Sequence, residues 1–408
     1  MSIELNTRPV SPADLLDEDS PRLAALLEAI AEGSAERERD LVPPHEQIRL
    51  IKEARLGAIR VPTEYGGAGG SLRDLFRIVV AIGAADSNIG QIIRAHYAYV
   101  EQMLRSTNQA QREFWLREIA NGTIIAGAAT ELGQYKVGAE SVDTTLLPDE
   151  NGDLRLNGTK YYSTGSLYAD ALVYTAFDPE NRLAIVILPE DREGITLEDD
   201  WDGIGQRLTG TGTTRLDDVL VEPDDVLMVV PKDSPPFRYG VAQLVLTAIV
   251  AGIIRDAAKD AVGLVHSREG RPFEHAPAER PAEDPLLQEI VGEIVSAAYA
   301  AEATVLIAAE ALDAEAESVI EGVADPEAAE RASLAAAQAK VVIDGLAFQA
   351  TTKLFDLGGA SSIKHAKNLD RHWRNARTIS THNPRILKAQ AVGDHALNGA
   401  RLPGNWFF

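Results

Sequence analysis

The chain has 408 residues, 45% of them hydrophobic and 25% charged, the balance of a globular protein with room for two or three packed subdomains. Its 39 basic and 62 acidic side chains leave a net charge of −23, so phosphate backbones are repelled and nucleic acid is not an expected partner. Cysteine is absent, which excludes disulfides, thiolate metal sites and a cysteine nucleophile.

In chain order, residues 1–122 read as an N-terminal α-helical domain. Leu23, Leu26, Leu27 and Ile30 recur at helical spacing, as do Ile48, Ile51 and Leu56 after Pro43-Pro44. Ser71 is placed to cap a helix carrying Leu72, Leu75, Phe76 and Val79, and Ser87 or Asn88 to open another through Ile92, His96 and Met103. Between these elements, Gly66-Gly-Ala-Gly-Gly70 lacks the βαβ frame, acidic residue or Gly-Lys-Ser/Thr of a nucleotide loop.

Residues 123–236 change character. Short β-rich runs (Ile124 to Ala129, Leu154 to Leu156, Ala171 to Phe177, Leu183 to Leu188, Thr213 to Val221) are separated by turn signals such as Asn151-Gly-Asp and Asn157-Gly. They predict a small β-barrel-like domain. Residues 237–408 are helical again. Broad apolar faces begin at Val241, Leu286 and Ala328, the signature of helices buried against several neighbours in a four-helix bundle. Arg268 to Asp284 is charged and Pro-rich and reads as a loop. The most apolar window, Gly240 to Ile254, spans about 15 residues and is too short for a bilayer. The opening Met1-Ser-Ile-Glu-Leu-Asn6 has no signal-peptide pattern, so a cytoplasmic protein free of membranes is expected. The histidines do not cluster at ligand spacings, His365 and His372 being seven apart on a predicted helix, and no metal is expected. The apolar tail Pro403-Gly-Asn-Trp-Phe-Phe408 is expected to pack on a neighbouring subunit or at a pocket mouth.

Four motifs stand in order along this α–β–α chain: Val61-Pro-Thr-Glu-Tyr-Gly-Gly67, Ala129-Thr-Glu131, Asn157-Gly-Thr-Lys-Tyr-Tyr-Ser-Thr-Gly165 and Arg374-Asn-Ala-Arg377. Together they resemble the acyl-CoA dehydrogenase superfamily, an α+β fold of N-terminal helices, middle β-barrel and C-terminal four-helix bundle. Asp200-Trp-Asp-Gly-Ile-Gly-Gln-Arg207, Val221-Glu-Pro-Asp-Asp-Val-Leu227, Arg371-His-Trp-Arg-Asn-Ala-Arg-Thr378 and Leu397-Asn-Gly-Ala-Arg401 bring the resemblance closer to one branch. That branch holds the flavin-dependent monooxygenases of sulfur metabolism, the dibenzothiophene monooxygenase and sulfur-acquisition oxidoreductase family.

The resemblance implies a two-component monooxygenase. Reduced flavin mononucleotide (FMN) comes from a separate flavin reductase, reacts with O2 to a C4a-hydroperoxide and oxygenates a small organic, organosulfur substrate in a homotetramer. The dehydrogenases place a catalytic glutamate where this chain has His382, or else a base on the helix that here begins Gly240-Val-Ala-Gln243-Leu; neither place holds a carboxylate. An imidazole suits a different chemistry, donating a hydrogen bond to the hydroperoxide or holding a proton near neutral pH. His96 corresponds to a second active-site histidine of the branch, with a satisfied core histidine as the alternative. Thr164 matches the hydroxyl beside flavin N5, and Thr130 and Ser163 flank it in the flavin-facing motifs. Arg271 matches an arginine that grips the flavin phosphate from a neighbouring subunit, with Phe273 beside it. Gly358 and Gly359 match a glycine-rich segment that approaches the flavin, or simply cap a helix. The branch carries an asparagine where this chain has Gly127, so a polar contact near the pocket is expected to be missing. Two other readings stand beside this one: an acyl-CoA dehydrogenase or oxidase holding flavin adenine dinucleotide (FAD) with an atypical base, and a non-catalytic flavin-binding or assembly subunit.

Overall fold

A computed structural model describes residues 12–133, 142–231, 240–270, 272–405 and 408. The first part holds seven helices: α1 Pro21–Ala31, α2 Ser34–Asp40, α3 His45–Ala54, α4 Leu72–Ala85, α5 Ser87–Ile92, α6 Arg94–Arg105 and α7 Gln109–Ala120. Ser71 caps α4 in a full capping box, its hydroxyl accepting from the Asp74 amide at 3.0 Å while Asp74 accepts from the Ser71 amide at 2.9 Å. The helix predicted from Ser87 through Met103 is two helices. Asp86 rather than Ser87 or Asn88 caps the first, and the chain breaks at Ile93, leaving Arg94 to open α6.

Eight strands follow: β1 Ile125–Ala128, β2 Thr145–Pro148, β3 Leu154–Ser163, β4 Ala171–Phe177, β5 Leu183–Pro189, β6 Ile195–Leu197, β7 Gly212–Val221 and β8 Val226–Val229. They form one mixed sheet in the order β6-β7-β3-β2-β4-β5-β8, with β1 parallel to β4. A bridge between Thr130 and Tyr161 ties the end of β1 back to β3, giving the barrel-like closure. β4 is buried on both faces. Leu172, Tyr174 and Ala176 fill the barrel interior, while Ala171 and Val173 join Val100, Leu116 and Ile119 in a second core that seats the barrel on the N-terminal helices.

The bundle comprises α8 Gly240–His266, α9 Pro285–Glu317, α10 Pro326–Lys353, α11 Arg371–Thr381 and α12 Arg385–Asn398. α4 crosses α8 with backbones in contact: a Cβ on Gly252 would stand 2.6 Å from Gly83 and Val80 main-chain atoms. Asp313 of α9 accepts from the first amides of α4, at 2.6 Å from Leu72 and 3.0 Å from Arg73. The N-terminal helices and the bundle thus share one core. Both α8 and α9 are longer and more apolar than the sequence window implied, enough in length and composition to cross a membrane. In α8, 83% of that apolar window is buried inside the protein, as befits a core helix; in α9 only 17% is. His365 and His372 do not share a helix, the former lying in a short 3-10 turn and the latter in α11, between Asp256 and Asp260. Of the tail, Phe408 packs on this chain itself beside Leu402 and Ala391, with the Lys388 ammonium 3.9 Å from the Phe408 ring centroid. Trp406 and Phe407 lie outside the described residues.

Candidate active site

α11 carries His382 at its C-terminal end, and three hydrogen-bonded contacts fix its direction. Asn375 donates to Glu38 at 2.6 Å and accepts from the Gln206 amide at 2.7 Å, while Arg374 pairs with Glu38 at 3.1 Å. The Arg374-Asn375 pair is therefore a clamp from α11 to α2 and to the loop before β7. Past His382, buried Asn383 donates to Gln243 Oε1 at 2.6 Å and accepts from His382 Nδ1 at 3.0 Å. With the Asn383 amide nitrogen donating to Gln243, its oxygen accepts from His382, which assigns the ring proton to Nδ1 and leaves Nε2 as the acceptor nitrogen. The two positions at which a dehydrogenase base would stand, His382 and the start of α8, are thus joined by one amide, and neither holds a carboxylate.

His382 is exposed at the surface of the chain, with protein packed densely around the ring. Burial pushes its pKa down to about 3, and the nearby charge of Arg94 adds to the effect. The lowered pKa favours the neutral imidazole at rest.

His96 is placed differently. It is fully buried; its Nε2–H donates to the Gly57 carbonyl at 3.0 Å and its Nδ1 accepts from the Ile125 amide at 3.1 Å. Both nitrogens are consumed by backbone, one from the α3–α4 connection and one from β1, and burial lowers the pKa to about 4. Neither ring nitrogen of His96 is therefore left for a ligand in this arrangement.

Two residues that sequence reasoning passed over stand nearby: Arg94, whose charge acts on His382, and Tyr99, on which the same charge acts. Arg94, the first residue of α6, has a buried Nε with no hydrogen-bond partner among the described residues, and burial pulls its pKa down to about 10. Tyr99 fills the space over Gly127, where a Cβ would meet its hydroxyl at 2.5 Å. A polar group therefore stands beside the position where the asparagine was expected, supplied from α6. The pairing was hidden because Gly127 and Tyr99 are 28 positions apart in the chain.

Thr164 is buried beneath the α5–α6 junction, its hydroxyl accepting from Thr211 at 3.0 Å, and the Cα of Gly165 presses on the Ile92 carbonyl. Ser163 points the other way. A bulge at Tyr162 (φ +58°) shifts the alternation of β3, so Tyr162 faces out and the Ser163 hydroxyl lies inside the barrel, accepting from Thr214 at 2.9 Å. Thr130 is exposed on the bridge to β3. Around this junction the buried Gln91 Oε1, Gln206 Oε1 and Arg94 Nε lack partners among the described residues. Unfilled donors and acceptors beside a chain of threonine hydroxyls suit a flat, heteroatom-rich ring such as a flavin.

A second cluster lies elsewhere. The Arg268 guanidinium stacks 4.0 Å from the Phe273 ring centroid and donates to the Leu357 carbonyl at 2.8 Å, and a Cβ on Gly359 would stand 3.2 Å from Phe273. Gly359 is left-handed at φ +59°, while Gly358 is right-handed. Arg271 lies outside the described residues. The first cluster touches α8 near Gln243 and the second begins just past its end at His266, so roughly 35 Å of helix separates them.

Three family models match in order: acyl-CoA dehydrogenase N-terminal domain at residues 24–123, middle domain at 126–219 and C-terminal domain at 244–384. The chain belongs to the acyl-CoA dehydrogenase superfamily. Within it, this member falls in the flavin-dependent monooxygenase branch. It is 28% identical over 425 residues to the dibenzothiophene monooxygenase of Rhodococcus qingshengii, covering 99% of each chain. A probable FMNH2-dependent monooxygenase, SfnC of Pseudomonas putida, is 28% identical over 381 residues, covering 91% of this chain and 92% of that one. FMN-bound TdsC from Paenibacillus sp. A11-2 superposes with a TM-score of 0.86 at 27% identity, over 96% of this chain and 99% of that chain.

Proposed function

We propose that this protein is the oxygenase of a two-component flavin monooxygenase, taking reduced FMN from a separate reductase and O2 to oxygenate a small organosulfur compound. The observation that carries the reading is the His382–Asn383–Gln243 chain: a neutral imidazole with a free acceptor nitrogen occupies the place of a base, and a neutral amide occupies the alternative place. Removal of a proton alpha to a thioester would need a carboxylate there; none bears on His382 among the described residues.

FMN, when bound, supplies the reduction of oxygen. The chain's own residues do the rest. Thr164 offers its hydroxyl to the ring edge, held by Thr211. His382 accepts a hydrogen bond at Nε2 and can take up a proton there as the reaction develops, with Asn383 holding the ring by Nδ1. Thr130, Gly358, Gly359 and Phe273 would serve the cofactor from outside this cluster, whereas Ser163 and His96 have spent their side chains on the fold.

The 35 Å between the two clusters is more than one flavin mononucleotide bridges, so a complete site needs the Phe273–Gly359 cluster of a second copy. The outer face of α9 offers a surface for that assembly: Leu286, Val295, Tyr299 and Ile307 are all exposed, and burying them between subunits of a cytoplasmic homotetramer accounts for a helix so apolar and so bare.

Incubation with a flavin reductase, NADH, FMN and an organic sulfide under ¹⁸O₂ tests the reading. Labelled sulfoxide or sulfone is expected. Hydrogen peroxide alone, at the rate of free reduced flavin, sinks it. Tightly bound FAD on purification with oxidation of an acyl-CoA would favour the dehydrogenase alternative, and any turnover excludes a purely structural subunit.

A further inference from the structure

The half-buried arginines of this acidic chain are mostly paired. Arg37 meets Asp86, Arg60 meets Glu101, Arg105 meets Glu315, Arg371 meets Asp256 and Asp260, and Arg374 meets Glu38. Arg94 is the exception beside His382, with no ion pair and no hydrogen bond to any described residue although the chain carries 62 acidic side chains. A guanidinium left without a partner in a protein recess costs free energy unless a ligand supplies the counter-charge. Its position argues which part of which ligand. Arg94 opens α6 close enough to Tyr99 and His382 for its charge to act on both, whereas the Arg268–Phe273 cluster that suits a flavin phosphate lies past the far end of α8.

We propose that Arg94 is a specificity-determining residue that binds the oxyanion head of the substrate, a small organic sulfinate, sulfonate or carboxylate, with the Tyr99 hydroxyl as a second donor. The proposal rests on the monooxygenase reading for calling that ligand a substrate; the binding itself does not depend on it. A planar fork of N–H donors is matched to two oxygens on one sulfur or carbon, and the single free Nε provides one arm of such a bidentate contact.

Calorimetry on the flavin-free protein tests this with a butane-to-octane series of alkanesulfinates and alkanecarboxylates against the uncharged alkyl methyl sulfones. Wild type is expected to hold the anions about tenfold to a hundredfold more tightly than the sulfones, Arg94→Met to lose that preference while keeping its sulfone affinity, and Arg94→Lys to keep part of it. The wild-type comparison stands alone if Arg94→Met does not fold. Equal affinity of wild type for anion and sulfone overturns the proposal, because the guanidinium then already has a partner from elsewhere in the protein. Weakened FMN binding in Arg94→Met with riboflavin binding unchanged also overturns it, by assigning Arg94 to the cofactor's phosphate. Labelled product from an uncharged sulfide with no anion preference would sink this proposal and leave the monooxygenase standing; Arg94-dependent anion binding without any turnover would do the reverse.

Discussion

His96 and His382 stand on opposite sides of the same helix-packing problem. At the α6–β1 seam, two main-chain groups consume both nitrogens of His96 and remove it from contact with anything that diffuses. At the corner between α11 and α8, one side-chain amide takes a single nitrogen of His382, on a ring that stays exposed. The residue type is the same, and both rings are kept neutral by their surroundings. The difference lies in how many hydrogen-bonding atoms the fold has already spent, and it separates a rivet from a reagent.

The contrast breaks first, and most visibly, at His382. His382→Ala should cut ¹⁸O-labelled product by about 100-fold or more while peroxide release persists, with stability changed by less than about 0.5 kcal/mol. Unchanged coupling would remove the residue from the chemistry. Next comes the support behind it. Lys340 and Asp344 form a 2.9 Å ion pair with 4% and 0% side-chain exposure, and Lys340 also donates to the Ser380 carbonyl two residues before His382. Burial lowers the lysine's pKa and raises the aspartate's. Lys340→Met strands Asp344 and should cost about 3–5 kcal/mol in denaturant unfolding; a cost below about 1 kcal/mol would mean that water reaches the pair.

His96 should show itself in stability against pH. Its folded pKa of about 4 lies below the ordinary 6.5, so between those values the unfolded chain binds more protons than the native one. Stability should therefore fall as pH drops from about 6.5 to about 4, by roughly 3 kcal/mol from this group, and lose nothing more to it below. His382 acts in the same direction. Urea midpoints across that range should flatten in His96→Gln, and an unaltered slope would contradict the buried tautomer. The smallest effect is expected at Gly127→Asn, which meets the Tyr99 hydroxyl. A loss of about 1–3 kcal/mol, largely recovered by adding Tyr99→Phe, would show that the two share one space.

Much of this was legible beforehand, and for physical reasons. Ser71 and Asp74 announce a capping box because both partners lie within one turn. Leu172, Tyr174 and Val173 announce a strand buried on both faces by their continuous apolar run. Three short strands, β2, β6 and β8, escaped because they are brief and only partly buried, so no sustained apolar run marks them as the buried residues mark β1. Ser163 escaped because a single left-handed residue, Tyr162, inverts the inward–outward count after it. Arg94 escaped for a deeper reason. An arginine at a helix start looks like surface, and the lack of a partner is a property of everything around it, visible only when the chain is folded. The site residues were proposed by position through resemblance, while the lowered pKa of His382, which comes from its surroundings and an arginine 288 positions earlier, has no signal in local spacing.

The length of α8 has a genetic consequence. If the site is shared between copies as proposed, with His382 at one end of α8 and Phe273 past the other, a subunit damaged at the first still carries an intact second, and the converse holds. Co-folding a His382→Ala chain with a chain disrupted at Gly359 should then yield mixed assemblies in which some sites draw both halves from the undamaged ends. Two inactive alleles would complement each other within one particle, and expressing them separately before mixing folded proteins would abolish the rescue if the assembly does not exchange its subunits.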